Sequence, residues 1–479
     1  MTQHTLARSL PDRHSSRPQE RRVARRLVDV AAKRAVPLHW TSLLSVVSLT
    51  CLTVLTITGV VLLAFYDRST DTVIYDGSYA LLQGVPVSRA YASTLHISLD
   101  VPGGLLVRQT HHWAALVLPA SLLLQLLSTF FTAGFRRPRH WSWVLLFVTF
   151  FLALGAGWSG YGLPDDQLAG TGLKIAEGIV IGIPFIGTRL SFLFFGGEFP
   201  GNAIEHMYWL HVLVIPVLLA AVLALRLWLA AQRPPPQLPG LGRTQLTVVG
   251  LPLRAIAVRA TGLAFVTTGV LVLLGGLMTV NPIWIHGPAD PASSSSGSQP
   301  DWYTGFLDGS LRLVPSGWEV EFLGHTIPLA VLVPQAVVGI FLGVVLLWPF
   351  LESRATRDRD PHHMLQRPRE HPVRTAFGVA GLVFFIALWA AGATDIVTHV
   401  FGVAFEHQVV ALRAVVLLGP LIAFPVTVQL CRALAAAERD QVLDGVESGR
   451  ILRGAEGGFT ESHIPLRPER AAIVARGRQ

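Results

Sequence analysis

The chain has 479 residues, 51% apolar and only 14% charged, with a formal net charge of +8. Soluble domains carry about 25% charged residues, so this composition and a mean hydropathy of +0.50 exclude an ordinary cytosolic enzyme. The basic residues lie between apolar runs, and so read as membrane topology rather than as a nucleic-acid surface.

In chain order, eight apolar segments are long enough to cross a hydrocarbon core of roughly 30 Å. They fall at about 42–65, 109–133, 141–162, 208–231, 255–280, 327–350, 376–397 and 408–432. The predicted fold is therefore an all-α membrane protein with eight transmembrane helices. Residues 1–39 form a basic tail with nine Arg and Lys residues between Arg8 and Arg34, and no apolar core that would suit a cleavable signal peptide. The loop between segments two and three has Arg136, Arg137 and Arg139, and that between six and seven runs from Arg354 to Arg374. The alternate loops are poor in positive charge, with only Arg312 between segments five and six. Both termini are thus expected on the cytoplasmic side of the plasma membrane.

The long loops, 66–108, 163–207 and 281–326, then lie outside and suggest a site or a partner there. Ser293 to Ser296 read as a flexible tract. The predicted organisation is a tail (1–39), a four-helix bundle (40–233), a Pro-rich cytoplasmic connector (234–254), a C-terminal transmembrane region (255–433) and a polar, partly disordered cytoplasmic tail (434–479). Cys51 and Cys431 sit in apolar runs and offer no disulfide framework or iron–sulfur spacing.

The second segment begins Arg108-Gln-Thr-His-His-Trp and the fourth Tyr208-Trp-Leu-His. His111 and His211 are then at similar depth near the outer ends of two helices. Ionisable groups inside a membrane usually serve function, and two facing imidazoles can ligate a haem iron axially. Taken singly, each histidine reads more readily as a hydrogen bond to a neighbouring helix than as a ligand.

From His39 to Pro372 the chain resembles cytochrome b of the cytochrome bc (quinol:cytochrome c reductase) complex, in its actinobacterial form. The resemblance rests on Gly77-Ser-Tyr, Ser88-Arg-Ala-Tyr, Arg108-Gln-Thr-His-His-Trp-Ala-Ala, Phe135-Arg-Arg-Pro-Arg and Gly160-Tyr-Gly-Leu-Pro-Asp-Asp-Gln-Leu-Ala-Gly-Thr-Gly. It continues through Leu210-His-Val-Leu-Val-Ile-Pro, Asn281-Pro-Ile-Trp, Gln299-Pro-Asp-Trp-Tyr and Leu365-Gln-Arg-Pro-Arg. It implies an N-terminal four-helix haem-binding bundle with two stacked haems, followed by C-terminal helices. In that family the second and fourth helices each supply two histidines, and fourteen residues place a pair on one face about 21 Å apart.

Here the outer ligands His111 and His211 are present, but Gln125 stands fourteen residues after His111. Arg226 stands fifteen after His211, the spacing in this branch, and Leu225 fourteen after. A guanidinium has no lone pair to give a metal. The family's haem-facing glycines follow the same division: Gly59 and Gly160 are present outside, while Ser45 and Leu146 occupy the inner positions. Gly59 or Gly160 alone would read as a helix-packing glycine, the commoner role in membranes, but the paired losses predict one haem b, on the outer side. By resemblance Arg108 would neutralise a haem propionate, with snorkelling to the interface as the plain alternative.

Pro300-Asp301-Trp302-Tyr303 resembles the family's quinol-oxidation signature. A buried carboxylate suits proton acceptance from a quinol, so Asp301 is the candidate base and Tyr303 the group that orders the pocket. Pro300, Trp302 and Tyr161 would line it. Asp165 and Asp166 read either as part of its other wall or as helix caps. His112 is expected to pack or to face headgroups. The inner quinone-reduction site lacks its usual loop histidine, since the connector reads Ala231-Gln-Arg-Pro-Pro-Pro-Gln-Leu-Pro-Gly.

The resemblance implies a subunit of a homodimeric complex that oxidises membrane quinol, menaquinol in this branch, and works with a Rieske-type iron–sulfur protein and a cytochrome c subunit. Without an inner haem, a gap of roughly 20 Å by helix rise separates the outer haem from the inner face, so the bifurcated, charge-separating cycle is expected to fail. The alternatives are a non-catalytic assembly or quinone-binding subunit with one haem, and a membrane anchor passing electrons to a dedicated oxidoreductase.

Overall fold

The computed structural model describes residues 35–37, 39–295, 299, 301–468, 470, 471 and 474. Most of the basic tail, Ser296, Pro300 and the last five residues lie outside the described residues. Among the described residues, eight helices are long and apolar enough to span a membrane: α1 Trp40–Leu63, α2 Gly104–Phe131, α3 His140–Gly162, α4 Ala203–Gln232, α5 Leu253–Leu277, α6 Leu329–Thr356, α7 Pro372–Gly392 and α8 Phe405–Leu443. Only a helix satisfies every backbone group of a single span within the span itself. Their lipid-facing sides carry exposed Leu, Val, Ile and Phe, as the solvent requires.

α1 packs on α2 and α3 on α4, with α2 against α3 closing the four-helix unit. α5 lies against α1 and α2, and α7 pairs with α8. The core joins Cys51, Val54, Leu118, Leu122, Leu146, Phe147 and Phe150 to Tyr303 and Phe306 from the long loop after α5. Gly275 of α5 lets the two backbones meet, because a methyl group there would lie 2.6 Å from Thr110 Oγ1 and 2.9 Å from its amide nitrogen.

The three long loops are ordered and gather at one end of the bundle. The first holds the hairpin Thr72–Ile74 with Pro86–Ser88 and the helix Arg89–Leu99. The second holds the helices Gln167–Ile181 and Gly187–Phe195. The third holds the helices Ile283–His286 and Gly305–Arg312 and the hairpin Val320–Phe322 with His325–Ile327.

At the opposite end, short loops are tied by ions. Arg136 meets Asp358, Arg374 Nη1 lies 3.0 Å from Glu352, and Arg367 bridges Glu370 and Glu438. The Pro-rich connector is anchored through Gln237, whose buried amide accepts from the Val249 N–H at 3.1 Å and donates to the Thr244 carbonyl at 3.1 Å. Two expectations change. α8 continues to Leu443, eleven residues past the apolar run, because a helix leaving the membrane needs no apolar surface. The tail beyond it, expected to be partly disordered, pairs Val446–Arg453 with Phe459–Ile464 as a hairpin.

Candidate functional site

α2 carries His111 near its start, and α4 carries His211 near its own. Their rings face each other with centroids 6.2 Å apart and an interplanar angle of 64°. One metal bound by both rings requires two bonds of about 2 Å and two ring radii of about 1 Å, or about 6 Å between centroids. The second nitrogen of each ring is committed. His211 Nδ1 donates to the Ala156 carbonyl at 2.8 Å. His111 Nδ1 lies 2.9 Å from Thr58 Oγ1, whose own proton goes to the Val54 carbonyl at 2.6 Å, so the imidazole is the donor. Both Nε2 atoms therefore keep their lone pairs, the tautomer a metal ligand needs.

The glycines explain how the rings fit. A methyl group on Gly160 would lie 2.5 Å from His211 Cε1, and one on Gly59 would lie 3.4 Å from His111 Cε1. The residues at this end fit a haem held between α1–α2 and α3–α4.

The inner positions do not fit one. Ser45 Oγ donates to Gln125 Oε1 at 3.2 Å, Gln125 Nε2 donates to Ser48 Oγ at 2.7 Å, and Ser48 and Ser121 hydroxyls are 2.6 Å apart. α1 and α2 are thus laced directly together where a macrocycle would need room, and Leu146 is buried against the same core. Arg226 Nη1 donates to Thr149 Oγ1 of α3 at 3.4 Å, whereas Leu225 is 45% exposed on the lipid side. The reason is a π-bulge over Leu210–Val214, a widened turn that adds one residue. It makes fifteen, not fourteen, the spacing that returns to the inside of α4, and it places His211 on the bulge itself.

The loop after α5 is clamped onto the start of α2. Gln109 accepts from the Val280 N–H at 2.8 Å and donates to the Val280 carbonyl at 2.9 Å, while Trp113 Nε1 donates to the Met278 carbonyl at 2.8 Å. Arg108 donates to the Asn281 carbonyl at 3.3 Å, and its Nε is buried with no partner among the described residues. Asn281 takes a φ of 48°, the left-handed turn that brings Asn281-Pro-Ile-Trp over the helix end.

Asp301 then reaches α2. Its Oδ2 accepts from the Tyr303 hydroxyl at 2.8 Å, and its Oδ1 lies 3.3 Å from His112 Nε2. This corrects the reading of His112, which neither faces headgroups nor merely packs. It turns to a residue 189 positions away, a pairing no local signal could give. Burial, then the Asp301 carboxylate, push the Tyr303 phenol well above its usual range. Tyr303 is seated over Gly157 of α3, where a side chain would collide with its hydroxyl. Trp302 donates to the Leu116 carbonyl at 3.3 Å, and Tyr161 to the Gln299 carbonyl at 3.3 Å. Pro300 lies outside the described residues.

The aspartate pair joins the loops. The Asp165 carbonyl accepts from the Ala289 N–H at 2.9 Å, and the Gln167 N–H donates to the Gly287 carbonyl at 2.9 Å. Ser88 donates to Asp165 Oδ2 at 2.5 Å. Asp166 precedes the helix Gln167–Ile181 but does not cap it with its side chain, which is fully buried and without a well-placed donor among the described residues. Burial pushes Asp166 up to about 7, against the pull of backbone amides and Arg108, and pushes Asp165 up to about 6, against the Ser88 hydrogen bond.

The family described as "Cytochrome b(N-terminal)/b6/petB" matches residues 116–288. The cytochrome bc1 complex cytochrome b subunit of Streptomyces coelicolor is 41% identical over 439 residues, 91% of this chain and 80% of that protein. The subunits of the same description from Corynebacterium efficiens and Mycobacterium tuberculosis are 40% and 42% identical over 91% of this chain and 80% and 79% of theirs. Among solved structures, a hyperthermophilic respiratory Complex III chain has the same fold, with a TM-score of 0.65 at 18% identity over 87% of this chain and 98% of that one.

Proposed function

The chain belongs to the cytochrome b subunits of bc1 complexes, and on that premise we propose that it oxidises a membrane quinol, menaquinol in this branch, at the histidine end of its bundle, using one haem b. The observation that carries the reading is the contact of Asp301 with His112, one residue from His111. A haem b held by His111 and His211 would supply a one-electron acceptor there, with Arg108 near its edge.

Quinol oxidation releases two protons and two electrons. The Asp301 carboxylate takes the first proton from the quinol hydroxyl, while Tyr303 and His112 hold its two oxygens in place. Trp302 and Tyr161 line the ring. The second proton leaves on the outer side. One electron goes to an iron–sulfur partner; a haem held by His111 and His211 would be the acceptor for the other, which is then available to an outer partner such as a cytochrome c. Both electrons leave at one face because Gln125 and Arg226 supply no inner ligand. The Arg-rich loops at the other end support a reading with both termini in the cytoplasm and the site outside.

The test is Asp301→Asn in the purified complex. Quinol oxidation slows by about 100-fold, the scale of a lost general base, while the haem spectrum is unchanged. Wild-type turnover in that variant overturns the assignment of Asp301.

A further inference from the structure

A cavity of about 1100 Å³ opens at the end away from the histidines, between the start of α3 and the end of α6. Its floor is aromatic: the Phe350 ring lies 5.2 Å from His140 and 6.0 Å from Trp141. Its rim carries Arg137, Arg354, Arg357 and Arg359. Among the described residues none of these four guanidiniums pairs with a carboxylate. The nearby acids are taken, Asp358 by Arg136 and His362 and Glu352 by Arg374. Asp360, exposed on the same loop, offsets one of the four charges at most.

Four cations around one opening repel one another unless an anion sits among them. Guanidinium geometry matches phosphate oxygens two at a time. The aromatic floor continues into the lipid-facing side of both helices, since Trp141 is 60% exposed and Phe350 37%. A free anion would have no use for that floor, whereas a molecule with a phosphate head and acyl chains matches both parts. We propose that this cavity is a binding site for an anionic phospholipid, its phosphate held by Arg354, Arg357 and Arg359 and its chains lying along α3 and α6. The site is independent of the quinol chemistry at the other end.

The full-length protein, delipidated in detergent, is offered phosphatidylglycerol, phosphatidylcholine or inorganic phosphate, and retained ligand is read by native mass spectrometry. Wild-type protein retains phosphatidylglycerol and not phosphatidylcholine, and millimolar phosphate does not displace it. The triple variant Arg354→Gln/Arg357→Gln/Arg359→Gln binds about 100-fold more weakly, with unchanged haem absorbance and unfolding temperature. The single variant Arg357→Gln, at an exposed helix end, shows an intermediate loss and serves if the triple variant fails to fold. Equal retention by the variants, or displacement by phosphate alone, overturns the proposal, the latter by reducing the site to one for a free anion.

Discussion

Replacing Gln125 by leucine separates a sealed inner half from a hidden second haem site. Gln125 makes two interhelical hydrogen bonds of good length, to Ser48 at 2.7 Å and Ser45 at 3.2 Å. Such bonds between membrane helices are worth about 0.6 kcal/mol on average and up to about 1.7, so their joint loss removes about 1–2 kcal/mol. The Ser48–Ser121 bond survives, and leucine nearly fills the volume, which keeps any cavity small. The expected result is a fall of a few degrees in unfolding temperature with haem per polypeptide unchanged at one. His211→Leu, by contrast, removes one of the two proposed ligands and should leave no haem. The assay is haem quantitation against protein, with thermal unfolding in detergent alongside. Two haems in the wild-type protein, or half the haem lost in Gln125→Leu, would refute the reasoning.

Two further outcomes concern the end that carries His111 and His211. Asp166 has its folded pKa raised from 3.8 to about 7, so the folded state binds its proton more tightly than the unfolded one. That contribution is present at low pH and is lost as pH rises from about 4 through about 7; its ceiling is roughly 4 kcal/mol. Asp166→Asn should therefore raise the unfolding temperature at pH 8 and leave it nearly unchanged at pH 4, and a variant destabilised equally at both would contradict the burial argument. For His112, leucine removes the partner of Asp301 Oδ1 while glutamine keeps an N–H donor. His112→Leu should lower kcat for quinol about tenfold with KM and haem spectrum nearly unchanged, and His112→Gln should restore most of it; identical kinetics in the leucine variant would leave the contact without a role.

The eight spans were legible because the bilayer imposes length and apolarity on each, and no other solvent demands both. Their ends were less so. α8 runs on to Leu443 through Arg, Glu and Asp residues, which say nothing about helix once the chain is in water. The outer histidines and glycines were legible as positions, and the structure adds what positions cannot carry: ring separation, and the Thr58 and Ala156 oxygens that hold each tautomer. His112 was misread because its partner is set by the clamp of residues 278–281 on α2, a tertiary event. The sequence at Asp166 suits either wall or cap; burial without a cap hydrogen bond decides against the cap.

The inner half argues against simple erosion of a haem site. A haem pocket that merely lost its ligands would leave glycines facing a void, and apolar voids in a close-packed interior are unfavourable in proportion to their size. Here each loss is matched by a filler, three of them hydrogen-bonded to neighbours and Leu146 packed in the core. Ser45, where the resemblance expects a glycine on α1, reaches Gln125, where it expects a ligand on α2, while Leu146 fills α3 and Arg226 reaches Thr149 across from α4. The hydrogen bond between Ser45 and Gln125 needs both replacements at once, since neither glycine nor an iron-bound histidine could make it. The two halves of the bundle are therefore built to different ends: one keeps ring nitrogens bare and backbones open, and the other spends its polar groups on holding helices together.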